Sequence, residues 1–135
     1  MKPLAIWIAI VAVVFGGYAI VTSLLRDTSQ VFVFVDSSQP MQAVWRFVPA
    51  ELDRIDDRDH SEFALAHGQS RTSAIVHTWQ PELELVGVEP FAPCSFAEID
   101  TFPEAAVADE KILVTTPGSC DTSALTDWEI VLLEP

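Results

Sequence analysis

The hydrophobic pattern divides the chain into an apolar N-terminal segment and a remainder in which apolar residues recur at strand and helix spacings. Positions 4–25 are 22 residues without an acidic or basic side chain. A bilayer core needs roughly 20 apolar residues of helix, and a helix satisfies its own backbone hydrogen bonds in hydrocarbon. The pattern therefore predicts a transmembrane anchor within residues 1–26, a short linker over 27–30 and one small domain over 31–135.

Six apolar stretches predict strands in the domain. The first, Val31–Val35, is a continuous run of β-branched and aromatic residues. Because it does not alternate with polar residues, we expect both of its faces to be buried, as in the centre of a parallel sheet. The other predicted strands are residues 62–67, 73–79, 83–88, 111–116 and 128–133.

Two stretches between these strands have a helical pattern. Apolar residues from Met41 to Ile55 recur with a period of about 3.6, so they predict an amphipathic helix that Pro49 kinks or restarts. Ser95 and Glu98 have capping-box spacing, which predicts a helix cap at Ser95 and a helix running towards Ala108. Alternating strands and helices predict an α/β fold, with a largely parallel sheet and flanking helices.

The charge distribution excludes one class of partner and indicates an orientation. All 20 acidic residues lie after Arg26, with five of the seven basic ones, so the domain has a formal charge of −15. Nucleic-acid binding needs clustered Lys and Arg, so we expect no nucleic-acid partner. Lys2 and the N-terminal amine favour a cytoplasmic N-terminus. The domain is then extracytoplasmic, and periplasmic if the cell is bacterial.

A cleaved signal peptide is the competing interpretation of the apolar segment. Its hydrophobic region would run about 7–15 residues before a small-x-small cleavage site. Here the apolar run is longer, and its candidate site, Gly17 to Ala19, lies inside the run. We therefore favour an uncleaved anchor.

Two cysteines, Cys94 and Cys120, both lie in the domain. An even count in an exported domain indicates a disulfide. Cys94 precedes a predicted helix and Cys120 follows a predicted strand. Both loops then lie at the carboxyl edge of the sheet, where a bridge is geometrically reasonable. The alternative is a pair of separate buried thiols.

The first strand, the sequence Asp36-Ser37-Ser38-Gln39-Pro40-Met41 and the following helix together resemble a von Willebrand factor type A domain. That family opens with a hydrophobic strand that runs into Asp-x-Ser-x-Ser and then its first helix. The resemblance implies a divalent-metal site, with Asp36 and Ser38 as ligands. Pro40 replaces the second serine, and Thr116 or Pro117 replaces an expected acid. We therefore expect a degenerate metal site without a bound ion, in which Ser37 or Ser38 caps the helix and Asp36 accepts hydrogen bonds from loop N–H groups.

These features predict a non-enzymatic protein-interaction module anchored in the membrane, such as an accessory subunit of a membrane complex, that needs no cofactor. The alternative is an extracytoplasmic hydrolase or phosphatase that uses Asp36 with His67, which comes just before Gly68 at a strand end. An enzyme would have a pocket lined by Asp36 and His67, whereas a module would fill that edge with packing. Ser119 lacks a GxSxG context, so we do not expect it to be a nucleophile.

Overall fold

A computed structural model describes residues 2–24, 28–68, 73–93, 96 and 99–135. Eight regular elements follow one another along the chain: α1 (Lys2–Leu24), β1 (Ser29–Val35), α2 (Val48–Asp56), β2 (Ser61–Gly68), β3 (Ser73–Gln80), α3 (Pro103–Val107), β4 (Glu110–Thr115) and β5 (Glu129–Leu132). Short 3-10 helices cover Gln39–Ala43, Trp45–Phe47 and Ile99–Thr101. The observed elements alternate as predicted for an α/β fold.

Helix α1 has the length and composition of a membrane span. Among the described residues it is the one helix that meets this criterion, over Lys2–Val21, with a mean hydropathy of 2.5 and no part of the span buried. The domain begins close behind it, because β1 starts at Ser29, inside the predicted linker.

The strands form one five-stranded sheet in the order β3-β2-β1-β4-β5. Strand β1 is parallel to both β2 and β4, and β4 is parallel to β5. Strand β3 differs, because it pairs antiparallel with β2. Only residues 69–72 separate these two strands, and so short a connection cannot make a parallel crossover. The sheet is therefore largely parallel, as predicted, with one antiparallel edge strand.

Strand β1 occupies the centre of the sheet, and both of its faces are buried as predicted. Its valines at 31, 33 and 35 belong to the core on one face, and Phe32 and Phe34 belong to the core on the other. All five are at most 1% exposed. A continuous apolar run has this arrangement because side chains alternate across the sheet.

The first face is covered by the segment from Gln39 to Asp56, but not by one long helix. The predicted stripe is buried, at Met41, Val44, Val48, Leu52 and Ile55. Two 3-10 helices precede α2, which restarts at Val48 with a proline in its first turn. Proline has no N–H to donate, which costs nothing in the first turn of a helix but would remove a hydrogen bond from its interior, so the α-helix restarts there instead of continuing through Pro49.

The second face is covered by Phe96, by residues 99–108 and by the segment before β5. Phe96, Ile99, Ala105, Leu125 and Trp128 are the buried side chains of this layer. The predicted helix towards Ala108 is shorter than expected, because α3 has five residues and Pro103 begins it instead of interrupting it. The predicted cap at Ser95 lies outside the described residues.

The predicted strand over residues 83–88 does not form. The segment has an alternating pattern, with Leu83 buried, Glu84 exposed, Leu85 half-buried and Val86 exposed, yet it has no regular structure. The chain leaves the sheet after β3 at Pro81 and passes over the face covered by α2, since Leu83 joins that core. No strand edge is available there, so a strand-like sequence remains without a partner strand.

Candidate functional site

Asp36 lies at the carboxyl edge of the sheet, directly after β1. Its backbone N–H donates to the carbonyl of Val114, 2.8 Å away, which extends the pairing of β1 with β4. Since Val35 is paired with Val114 in the parallel register, Thr115 lies beside Asp36. The residue is only 2% exposed, so this carboxylate is enclosed by protein.

Three donors from two chain segments satisfy the Asp36 carboxylate. The Thr115 hydroxyl donates to Oδ2 at 2.7 Å, and the Ser119 hydroxyl donates to the same oxygen at 2.5 Å. The backbone N–H of Ser38 donates to Oδ1 at 2.9 Å. The last bond confirms that Asp36 accepts from a loop N–H, and together these bonds stabilise a buried negative charge.

The two serines after Asp36 join neighbouring loops. Ser38 occupies the N-cap position of the first 3-10 helix, but its side chain makes no capping hydrogen bond. Its Oγ instead lies 3.1 Å from Oγ of Ser119. The Ser37 hydroxyl donates to the carbonyl of Gly68 at 2.6 Å. Neither serine therefore caps the helix with its side chain, because each hydroxyl is used between loops.

His67 lies at the same edge, on the neighbouring strand β2. It is half-buried, and its Nδ1 lies 2.7 Å from the carbonyl oxygen of Gly68. A pocket of about 280 Å³ opens beside it; Gly87, Glu89 and Phe91 are among its lining residues, and Asp36 is not. The structure therefore places both proposed enzyme residues at one edge, but the pocket beside His67 does not include Asp36.

The donor set around Asp36 does not fit the metal site that the resemblance implies. Mg²⁺ takes about six oxygen ligands, and usually one or two carboxylates. Both oxygens of Asp36 already accept hydrogen bonds, and Pro40 is exposed and has no side-chain oxygen. Among the described residues no group of three or more His, Cys, Asp or Glu side chains could hold a metal ion.

The predicted disulfide cannot be traced in full, because Cys94 lies outside the described residues. Cys120 is half-buried next to Ser119, and its Sγ lies 3.9 Å from the serine hydroxyl. No described cysteine is free. The bridge between Cys94 and Cys120 stays a prediction.

Thr115 and Ser119 are the partners of Asp36 that sequence reasoning missed. The sequence drew attention to Thr116, whose hydroxyl instead donates to the carbonyl of Leu133 at 2.8 Å. Side chains alternate along β4, so Thr115 and Thr116 point in different directions. The available signal was that two adjacent parallel strands both end in polar residues, Asp36 and Thr115. Ser119 follows a turn at Gly118, whose φ of 81° favours glycine.

No family model, curated protein or solved structure matches this chain.

Proposed function

We propose that this chain is a membrane-anchored, extracytoplasmic protein-interaction module without enzymatic activity, of the kind found as an accessory subunit of a membrane complex. The proposal includes a von Willebrand factor A-like domain with a degenerate metal site, on the basis of the sequence from β1 to Met41. Its anchor is α1, with the N-terminus in the cytoplasm.

The observation that carries this proposal is the closed environment of Asp36. A nucleophile, a general base or an adhesion-type metal ligand must be able to contact another molecule. This carboxylate is 2% exposed and accepts hydrogen bonds from Ser38, Thr115 and Ser119. Such an arrangement favours a structural role, in which Asp36 ties the loops after β1 and β4 together.

The position of the domain also supports an interaction role at the membrane. Between Leu24 and Ser29 the chain can extend roughly 17 Å at about 3.4 Å per residue. The start of β1 therefore stays close to the end of α1. A domain tethered at so short a distance can meet a partner that lies in or at the membrane.

Purification of the full chain from mild detergent tests the proposal. We expect a defined protein to copurify in fixed ratio, and not to copurify with a control in which residues 1–28 carry an unrelated soluble domain. That control removes partners that bind only the anchor.

A chain that purifies alone and hydrolyses p-nitrophenyl esters or phosphates would contradict the proposal. In that case Asp36→Asn and His67→Ala should both abolish hydrolysis, while the exposed control Asp57→Ala should retain it. This pattern would establish the hydrolase alternative.

A further inference from the structure

A groove between α2 and residues 83–88 is open to solvent and has a volume of about 210 Å³. One wall consists of the half-buried Trp45 together with Pro49 and Leu52, and the other includes Leu85 and Val88. Large aromatic side chains in such positions often dominate binding energy at protein interfaces. Trp45 packs partly against the core, and the rest of its side chain faces this groove.

The wall formed by residues 83–88 is fixed in place by hydrogen bonds near both of its ends. At one end the N–H of Leu83 donates to Oδ1 of Asp56 at 3.2 Å. At the other, the N–H of Ala92 donates to the carbonyl of Ser37 at 2.9 Å, and Gln42 donates to the carbonyl of Pro90 at 3.3 Å. The groove is therefore preformed, which reduces the entropic cost of binding.

This wall also has the sequence of a strand that lacks a neighbour. Burial alternates from Leu83 to Val86, and the N–H groups from Leu85 to Val88 donate no hydrogen bond to the described part of the chain. Exposed main-chain donors and acceptors beside apolar pockets are the features that extended peptides use when they add a strand to a protein.

The rim of the groove carries one sign of charge. Asp53 and Glu84 lie on opposite walls and are exposed, and no basic side chain lines the groove among the described residues. Arg54, next to Asp53 in sequence, is paired with Glu51. The charge of the rim, within a domain of formal charge −15, disfavours a second copy of this chain and an anionic lipid surface as occupants.

We propose that this groove binds an extended segment of a partner protein in which a bulky apolar side chain is flanked by Lys or Arg. The apolar side chain enters between Trp45 and Leu85, the basic side chains meet Asp53 and Glu84, and the main chain runs along residues 84–88. The proposal rests on the interaction role proposed above and specifies the chemistry of the partner.

A peptide panel tests this with the full chain in nanodiscs of zwitterionic lipid. The probe is a fluorescein-labelled peptide, Gly-Ser-Lys-Phe-Lys-Ser-Gly-Ser, compared with versions in which serine replaces phenylalanine or glutamate replaces both lysines. We expect each change to weaken binding at least tenfold, and empty nanodiscs not to bind. Hydrogen exchange at the amides of residues 84–88 should slow when the first peptide binds.

A charge-matched pair of variants makes the test specific to the groove. The double variant Asp53→Lys and Glu84→Lys should weaken binding of the first peptide at least tenfold. The double variant Asp57→Lys and Glu134→Lys changes net charge equally at exposed positions outside the groove, and it should weaken binding less than threefold. Both pairs change exposed side chains, so we expect both variants to fold.

Equal effects of the two pairs, or equal binding of the peptide without phenylalanine, would contradict specific binding at the groove. Either result would indicate non-specific electrostatic attraction instead. Absence of binding by all three peptides would also contradict the proposal that the groove binds such a segment. If the Asp53→Lys and Glu84→Lys variant still copurifies its partner from detergent, the interaction function stands and the groove assignment fails. If no partner copurifies with the wild-type chain either, both proposals fail.

Discussion

Asp36 shows how one side chain can hold several loops at the end of a parallel sheet. Its carboxylate receives hydrogen bonds from the loop that follows it and from Thr115 and Ser119 across the β1–β4 pair. A buried carboxylate is costly without such donors, and the donors are equally costly without the carboxylate. Burial of the Asp36 carboxylate and burial of its donors therefore depend on each other.

Substitution of Asp36 by alanine should therefore destabilise the domain by about 2–4 kcal/mol, because it leaves buried donors without acceptors. Asp36→Asn keeps an oxygen for the N–H of Ser38, and its amide can donate to the two hydroxyls once they rotate, so its cost should be lower. Chemical denaturation of the three proteins measures this order, with the exposed Asp57→Ala as control. Equal stability of wild type and Asp36→Ala would contradict a structural role.

Addition of Mg²⁺, Mn²⁺ or Ca²⁺ should leave the melting temperature unchanged, because only a ligand that prefers the folded state shifts it. The cluster around Asp36 contains one carboxylate, and both of its oxygens already accept hydrogen bonds. Thermal melts with and without roughly millimolar metal are the measurement. A saturable increase that disappears in Asp36→Ala would restore the metal chemistry that the family resemblance implies.

At the scale of elements, the sequence predicted what depends on local pattern and missed what depends on neighbours. The apolar run at Val31–Val35 is typical of a central strand with both faces buried, and the structure has such a strand there. The alternating pattern at 83–88 is equally strand-like, but a strand also needs a partner edge, which the sequence does not reveal. Asp36 could be selected as a site residue from its place after a strand, whereas Ser119 reaches it only through the turn at Gly118.

The segment before β5 is attached to the sheet by ion pairs that should depend on pH. Lys111 on β4 pairs with Asp100 and Asp127, and its Nζ lies 5.4 Å from the ring centre of Trp128. The hydrogen bond from Lys111 holds the pKa of Asp127 below its ordinary value of 3.8. A lowered pKa in the folded state contributes stability above the unfolded-state pKa, and this contribution is lost as pH falls through the folded-state pKa.

Lys111→Met should return the pKa of Asp127 towards its ordinary value and reduce the loss of stability in acid. An NMR titration of the Asp127 carboxyl carbon in both proteins measures the shift. Asp121 is the internal control, because the backbone N–H of Ser123 lowers its pKa and does not involve Lys111. If Asp127 titrates identically in both proteins, the ion pair does not exist in solution.

The oxidation state of Cys94 and Cys120 tests how the loops at the carboxyl edge are arranged. A bridge requires α-carbons within about 7 Å, which places the loop containing Cys94 beside the turn that follows β4. We expect the chain to be oxidised, and reduction to lower its stability by roughly 2–4 kcal/mol. Replacement of both cysteines by serine should give a similar loss. Two free thiols, counted under denaturing, non-reducing conditions, would exclude the bridge and weaken the assignment to an oxidising compartment.

On the scale of the whole molecule, an exposed apolar helix is joined to a strongly acidic domain by a few residues. Helix α1 is long and apolar enough to cross a bilayer. The acidic domain is repelled by anionic headgroups, so it is expected to stand off the membrane. This combination supports the proposal of an anchored domain that binds a protein partner near the membrane.

The orientation of the chain across the membrane can be tested by chemical labelling. Lys2 favours a cytoplasmic N-terminus, so a cysteine introduced as Asp57→Cys at an exposed position should react with a membrane-impermeant thiol reagent in intact cells or spheroplasts. A cysteine introduced as Pro3→Cys, which retains Lys2, should react only after lysis, and the chain without an added cysteine gives the background. Reaction at Pro3→Cys before lysis, with protection of Asp57→Cys, would reverse the topology. The acidic groove beside α2 would then face cytoplasmic partners instead of exported ones.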